Sequence, residues 1–267
     1  MSERSELAEA YGREHIKTCG CLGRKFVRFN FKLDDPLFGA AIPCICQHDA
    51  VERDRAKRLI AKSGIKREEL DRWDFGGFVP EHCIPLASDD PKETLEKMRR
   101  VKAVCERYSI KPKCWLILQG QRGSGKTHLA YAIAVQAMAN GVSVFCHNVP
   151  ELLDMLRAGY NDGSYDMMLN DLMNVELLVL DDLGAHATTE WTAEKLYEII
   201  NARSRRILPM VITTNYNLDD EHCGIDPRIL SRLRDGSKAG IEGLVHILRM
   251  PVADYRPINR AFKTKAA

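Results

Sequence analysis

Gly120-Gln121-Arg122-Gly123-Ser124-Gly125-Lys126-Thr127 is the stretch on which the reading of this chain turns. It fits G-x-x-x-x-G-K-[ST], and its flanks fit as well. The apolar run Trp115-Leu116-Ile117-Leu118 precedes it, and the helical pattern THLAYAIAVQAMANG, closed by Gly141, follows it. Phosphate chemistry asks for this arrangement. Glycines let the backbone wrap closely, so that successive N–H groups turn inward on an anion. The helix that follows presents the positive end of its dipole to the same anion. Lys126 then reaches the outer phosphates of a bound nucleoside triphosphate, and the Thr127 hydroxyl holds Mg²⁺. Gly120, Gly123, Ser124, Gly125, Lys126 and Thr127 are therefore expected to grip ATP.

Working outward, the chain alternates between short apolar strands and amphipathic helices. VSVFC, VELLVLDD, MVITTN and VHILRM read as strands, and PELLDMLRAGY, WTAEKLYEIINARSRR and DPRILSRLRDG as helices. Continuous apolar strands separated by helices indicate a parallel sheet covered on both faces. Leu177 to Leu180 lead into Asp181-Asp182. A buried strand that ends in two carboxylates needs a cation or a reaction to serve, because desolvating such charges is costly. Asp181 is assigned to the Mg²⁺ shell and Asp182 to polarising the attacking water. Asn215, at the C-terminal edge of MVITTN, lies where ligands bind in open α/β sheets and can position that water. Further on, Arg232 is the first candidate for an arginine supplied to a neighbour's γ-phosphate, and Arg228 the second. Such a residue makes the active site incomplete in one subunit.

The rest of the chain bounds the setting. Apolar residues make up 45% and charged residues 28%, the mix of a soluble globular protein, with a formal net charge of only +2. No global field therefore steers the chain to nucleic acid, and KREELDR, KMRRVK and NARSRR read first as solvated helix faces. No apolar run is long enough for a membrane span and the N-terminus carries no secretory pattern, so a cytoplasmic location is expected. Residues 1–72 are expected to form an N-terminal Cys-rich and helical partner-binding region, 73–94 a linker and 95–267 the ATPase domain. Within 49–71 a charged helix should break near Ser63-Gly64. Pro91 sits where a first helical position is expected, after the capping candidates Ser88, Asp89 and Asp90. Of nine cysteines, Cys83, Cys105, Cys114, Cys146 and Cys223 are scattered and read as small apolar residues. Cys19, Cys21, Cys44 and Cys46 form C-x-C…C-x-C, flanked by His15 and His48. Four thiolates suit a structural Zn²⁺, although C-x-C is tighter than the usual C-x₂-C and a His can replace one Cys.

The order of phosphate loop, LLVLDDLG, WTAEKLYEIINAR, VITTN, SRLRDG and DYRP resembles the DnaC-type helicase loaders, and IstB-type transposition helper ATPases look similar. Both lie in the AAA+ branch that holds the replication initiator DnaA. The resemblance covers roughly residues 95–260. It implies a five-stranded parallel sheet in the order 5-1-4-3-2 without a full helical lid. It also implies Asn215 as first sensor and Ser231-Arg232 as the pair that carries the finger. Arg256, in DYRP, is the candidate for the second sensor. An extra helical insertion between the second and third strands, PELLDMLRAGYNDGSYDMMLNDLMN, is associated with DNA contact in related proteins, and offers Arg157 as a candidate.

The first functional reading is thus a helicase loader. It would hydrolyse ATP to ADP and phosphate, bind single-stranded DNA, self-associate into an oligomer or filament and dock on a replicative DnaB-type helicase. The second is an IstB-like transposition helper acting on duplex DNA with a transposase. A small-molecule kinase on a P-loop scaffold is a third, for which no lid is found.

Overall fold

The computed structural model describes residues 3–18, 21, 26–45, 57–185, 189–234 and 245–254. The chain divides into two compact units, Met1–Arg58 and Leu59–Ala267. The boundary therefore falls ahead of the expected 72/73, because the segment after it belongs to the second unit's core. Ile65 and Phe78 are buried there, with Leu70, Trp73 and Phe75 packed against them.

The first unit holds helix α1 (Glu3–His15) and a two-residue antiparallel pairing of β1 (Phe26–Val27) with β2 (Ile42–Pro43). Its small core gathers Ala8, Ile16, Leu37, Ile42 and the two cysteines Cys21 and Cys44. Tyr11 stacks on His15 and meets Phe29 and Phe31 edge-on. Cys19, Cys46 and His48 lie outside the described residues. Among those described, no group of three or more His, Cys, Asp or Glu is placed to hold a metal.

In the second unit, residues 59–63 are helical, and the helix stops at Gly64, whose φ of 78° is left-handed. A 3-10 turn over Arg67–Arg72 follows. Helix α2 (Pro91–Ile110) starts where Asp90 caps it, its carboxylate accepting from the amides of Lys92 and Glu93. Then come β3 (Trp115–Gly120), α3 (Lys126–Ala139), β4 (Val144–Asn148), α4 (Val149–Asp162), α5 (Tyr165–Asn174), β5 (Leu177–Leu183), α6 (Glu190–Arg206), β6 (Met210–Thr214), α7 (Pro227–Arg234) and β7 (Val245–Met250). The expected insertion between the second and third strands is two helices, separated where Gly163 takes a φ of 75°.

The five strands form one parallel sheet in the order β4-β5-β6-β3-β7. Counted from β3 and read from the other edge, this is 5-1-4-3-2. Side chains alternate across it with a period of two. Leu116, Leu118, Leu177, Val179 and Val211 pack beneath α2 and α3. Trp115, Ile117, Leu178, Leu180, Met210 and Ile212 pack on the other face with residues of α4 to α7. The sheet is therefore apolar on both faces, which is why its strands read as unbroken apolar runs. Among the described residues no helix is long and apolar enough to cross a membrane.

The basic segments divide: one holds a buried structural arginine, and another keeps an exposed face of surface ion pairs. Arg203 of NARSRR is fully buried and donates to the carbonyls of Leu172 at 2.9 Å and Pro209 at 2.6 Å, tying α5, α6 and the start of β6 together. In KMRRVK, Arg99 pairs with Glu81 and Arg100 with Glu96. The scattered cysteines are packing residues: Cys105 and Cys146 are buried, and burial pushes the Cys105 thiol up to about 12 and Cys83 up to about 11.

Candidate nucleotide site

The loop after β3 takes the shape that its glycines permit. Gly123 and Gly125 have φ of 76° and 92°, in the left-handed region where a side chain is strained. A Cβ on Gly120 would lie 2.7 Å from the carbonyl oxygen of Met250, so the neighbouring strand β7 fixes glycine there. The same test on Gly125 meets the ring of Phe78 at 2.6 Å. Lys126 opens α3 with its side chain buried in the loop, where Nζ donates to the carbonyls of Gly120 at 2.9 Å and Gln121 at 2.7 Å. Nζ also donates to Asn215 Oδ1 at 2.9 Å. Ser124 is buried beneath the loop.

A break in the ladder brings the second aspartate into the cleft, while the first stays buried beside Thr127. β5 pairs with β6 at Leu180–Ile212 and next at Leu183–Thr214, so β5 carries one extra residue at Asp181-Asp182. Asp182 takes that residue's strain, with φ of 59°. Strict alternation would send Asp182 to the face of Leu178 and Leu180. The bulge gives that place to Leu183 and turns Asp182 into the cleft. Asp181 accepts from Thr127 Oγ1 at 2.9 Å and from Thr213 Oγ1 at 2.7 Å. Burial holds its carboxyl above the usual range, against the lowering effect of those two hydroxyls. Asp182 Oδ1 accepts from Asn215 Nδ2 at 2.7 Å. Asn215 thus touches both the loop lysine and the second aspartate.

The cleft has a volume of about 400 Å³. One end is built by the loop, Asp182, Thr213 and Asn215. The other is walled by Trp73, Phe78, Val79 and Cys83, from the stretch read in sequence as a linker, together with His128 of α3. This wall is tied down. His128 Nε2 lies 2.6 Å from the Asp74 carbonyl oxygen, Lys102 donates to the Phe78 carbonyl at 3.0 Å, and Trp73 packs on Tyr131 with ring centroids 4.8 Å apart. The aromatic and glycine richness of WDFGGFV was the signal available, but nothing in it specified the phosphate loop as its partner. Thr127 and Asp181 offer hard oxygens, already within hydrogen-bond distance of each other, of the kind that Mg²⁺ prefers.

The two arginine candidates separate. Arg228 is engaged within the chain: it pairs with Asp226 at 3.0 Å and lies over the Tyr197 ring at 4.8 Å. Arg232, half-buried on α7, makes no hydrogen bond or ion pair among the described residues and does not line its own chain's cleft. Arg157 pairs with Asp154 at 3.0 Å and lies over Trp191. Arg256 is outside the described residues.

Comparison with known proteins agrees with this geometry. The model of the family described as IstB-like ATP binding protein matches residues 91–233. The replicative helicase loader DnaC of Escherichia coli (strain K12) is 32% identical over 123 residues, covering 45% of this chain and 50% of the relative. An ATP-binding protein of insertion sequence IS1162 from Pseudomonas fluorescens is 39% identical over 89 residues, covering 33% of this chain and 38% of the relative. The chain thus spans about half the length, or less, of these curated relatives. A crystal structure of DnaI superposes with a TM-score of 0.53 at 25% identity, over 70% of this chain and 95% of that one. More than half of the chain, from the capped helix α2 to the arginine helix α7, lies within the family match, and the chain belongs to the IstB-like ATP-binding proteins, as an AAA+ domain of the IstB/DnaC type.

Proposed function

We propose that this chain hydrolyses ATP to ADP and phosphate at a site completed by a second copy, and that turnover loads or releases a replicative DnaB-type hexameric helicase on single-stranded DNA. The observation that carries the hydrolytic part is Asn215, hydrogen-bonded at once to Lys126 and Asp182. In this reading the loop amides and Lys126 hold the β- and γ-phosphates. Asp182 draws the proton from the attacking water and Asn215 keeps that water in line with the γ-phosphorus. Thr127 and Asp181 would hold Mg²⁺, which supplies charge neutralisation between the phosphates. The base lies against Trp73, Phe78 and His128. Arg232 of one copy reaches the γ-phosphate held by its neighbour. This reading accounts for an arginine with no partner among the described residues, and it makes self-association a requirement for turnover.

The loader role is supported by the DnaC and DnaI likenesses. The direct experiment is steady-state ATP hydrolysis with and without single-stranded DNA and a replicative helicase hexamer. Turnover should change several-fold when both are present. The IS1162 relative and the family description favour a second reading, a transposition helper. Stimulation by duplex DNA, with no response to helicase or single strands, would select it.

A further inference from the structure

Thr213 is fully buried on β6, one strand away from both acidic residues. Its hydroxyl donates to Asp181 Oδ1 at 2.7 Å and accepts from the backbone amide of Asp182 at 2.8 Å. The second bond has a specific origin. The bulge between Leu180 and Leu183 takes the Asp182 amide out of the regular ladder with β6. A buried amide without a partner is costly, so the extra residue needs an acceptor from elsewhere. The Thr213 side chain supplies it and spends its own proton on the neighbouring carboxylate. A single hydroxyl therefore fixes the backbone that aims Asp182 and the rotamer that presents Asp181 to Thr127.

We propose that Thr213 is the positioning residue of this site, setting the relative placement of the metal-binding Asp181 and the water-polarising Asp182 through one hydroxyl. The proposal rests on the hydrolytic reading above for the roles of the two aspartates; the geometry that joins them does not. Neighbouring hydroxyls do different work. Thr214 Oγ1 donates to the Leu183 carbonyl at 2.9 Å and reaches neither carboxylate. Thr127 touches Asp181 alone of the two. Thr213 is thus the described side chain whose hydroxyl bonds to both acidic residues.

The test is the pair Thr213→Val, which is isosteric, and Thr213→Ser, which keeps the hydroxyl, in the full chain. Valine keeps the branched shape and removes both bonds, whereas serine keeps the hydroxyl. With ATP and Mg²⁺ as probes, Thr213→Val should lower kcat and raise the Mg²⁺ concentration at half-activation, each by roughly 10–100-fold, the range for groups that orient metal ligands. Affinity for ATP measured without Mg²⁺ should stay within about threefold of the wild type, since the loop and Lys126 are untouched. Thr213→Ser should restore both quantities. If Thr213→Val does not fold, Thr213→Ala replaces it under the same criteria. Wild-type kcat and Mg²⁺ dependence in the valine variant, or equal impairment of the serine variant, would overturn the proposal. A wild-type chain that binds MgATP without hydrolysing it would instead overturn the hydrolytic reading. The Mg²⁺ dependence of nucleotide binding in the two variants would then decide the role of Thr213.

Discussion

Lys126 Nζ donates a 2.9 Å hydrogen bond to the side-chain oxygen of Asn215, joining the phosphate loop to the end of β6 across 89 residues of chain. The same amide donates to Asp182 at 2.7 Å. An Asn215→Ala substitution removes both bonds without altering the loop. It should leave ATP affinity within a few-fold and lower kcat by on the order of 10², the loss typical for one preorganised polar group. Single-turnover kinetics beside equilibrium nucleotide binding would separate the two effects. A variant that loses binding and keeps its turnover rate would assign Asn215 to substrate retention.

Asp181 gives a stability signature. Its carboxyl is raised above the ordinary range chiefly by burial. A group that holds its proton more tightly when folded than when unfolded destabilises the fold wherever it is ionised. Acidification from above Asp181's raised value down through the ordinary carboxylate range should therefore recover that stability. Without Mg²⁺, Asp181→Asn should unfold at a higher urea concentration than the wild type at pH 8, with the gap shrinking towards pH 4. With Mg²⁺ and ATP the order should reverse, because only the wild type gains the bound ligand's contribution. Urea titrations at the two pH values check both signs.

Phe78 should matter to both the core and the cleft. It is 6% exposed, packs where a Cβ on Gly125 would stand, and lines the nucleotide cleft. Phe78→Ala should reduce stability by about 3 kcal/mol, the usual loss for a buried phenyl ring. It should also weaken ATP binding by roughly tenfold while leaving kcat at saturation within a few-fold. Chemical denaturation and a nucleotide titration measure the two independently.

The phosphate loop, the alternation of strands and helices and the capped start of α2 were legible because each is local. Glycine spacing, apolar periodicity and a carboxylate before Pro91 act over a few residues. The 73–83 stretch was read as a linker because its partner, the loop glycine Gly125, lies far along the chain. The aspartate pair was legible as two carboxylates ending an apolar strand, while its geometry was not. A strand reading sends Asp181 and Asp182 to opposite faces, and only the pairing with β6 reveals the bulge that turns Asp182 into the cleft while Asp181 stays buried against Thr127. Thr213 escaped for the same reason, since in MVITTN it reads as an ordinary β-branched strand residue. The basic run NARSRR misled in the other direction: Arg203 is buried to satisfy carbonyls of α5 and of the turn into β6.

Arg228 and Arg232 should differ sharply. Arg228 is committed to Asp226 and Tyr197 of its own chain, so Arg228→Ala should shift the unfolding midpoint more than it shifts turnover. Arg232→Ala should leave folding and ATP affinity near wild type and lower kcat by about 10³ or more, as for arginines supplied in trans. Parallel melting curves and ATPase assays compare the pair.

The most direct test of a site shared between copies is to mix two inactive variants, Arg232→Ala and Asp182→Asn, and measure ATP hydrolysis. Each alone should be nearly inert. In the mixture, interfaces that pair an intact cleft with an intact arginine should restore a fraction of wild-type turnover, rising with total protein concentration. No recovery at any ratio, or full activity of Arg232→Ala as an isolated monomer, would contradict a site completed by a neighbouring copy.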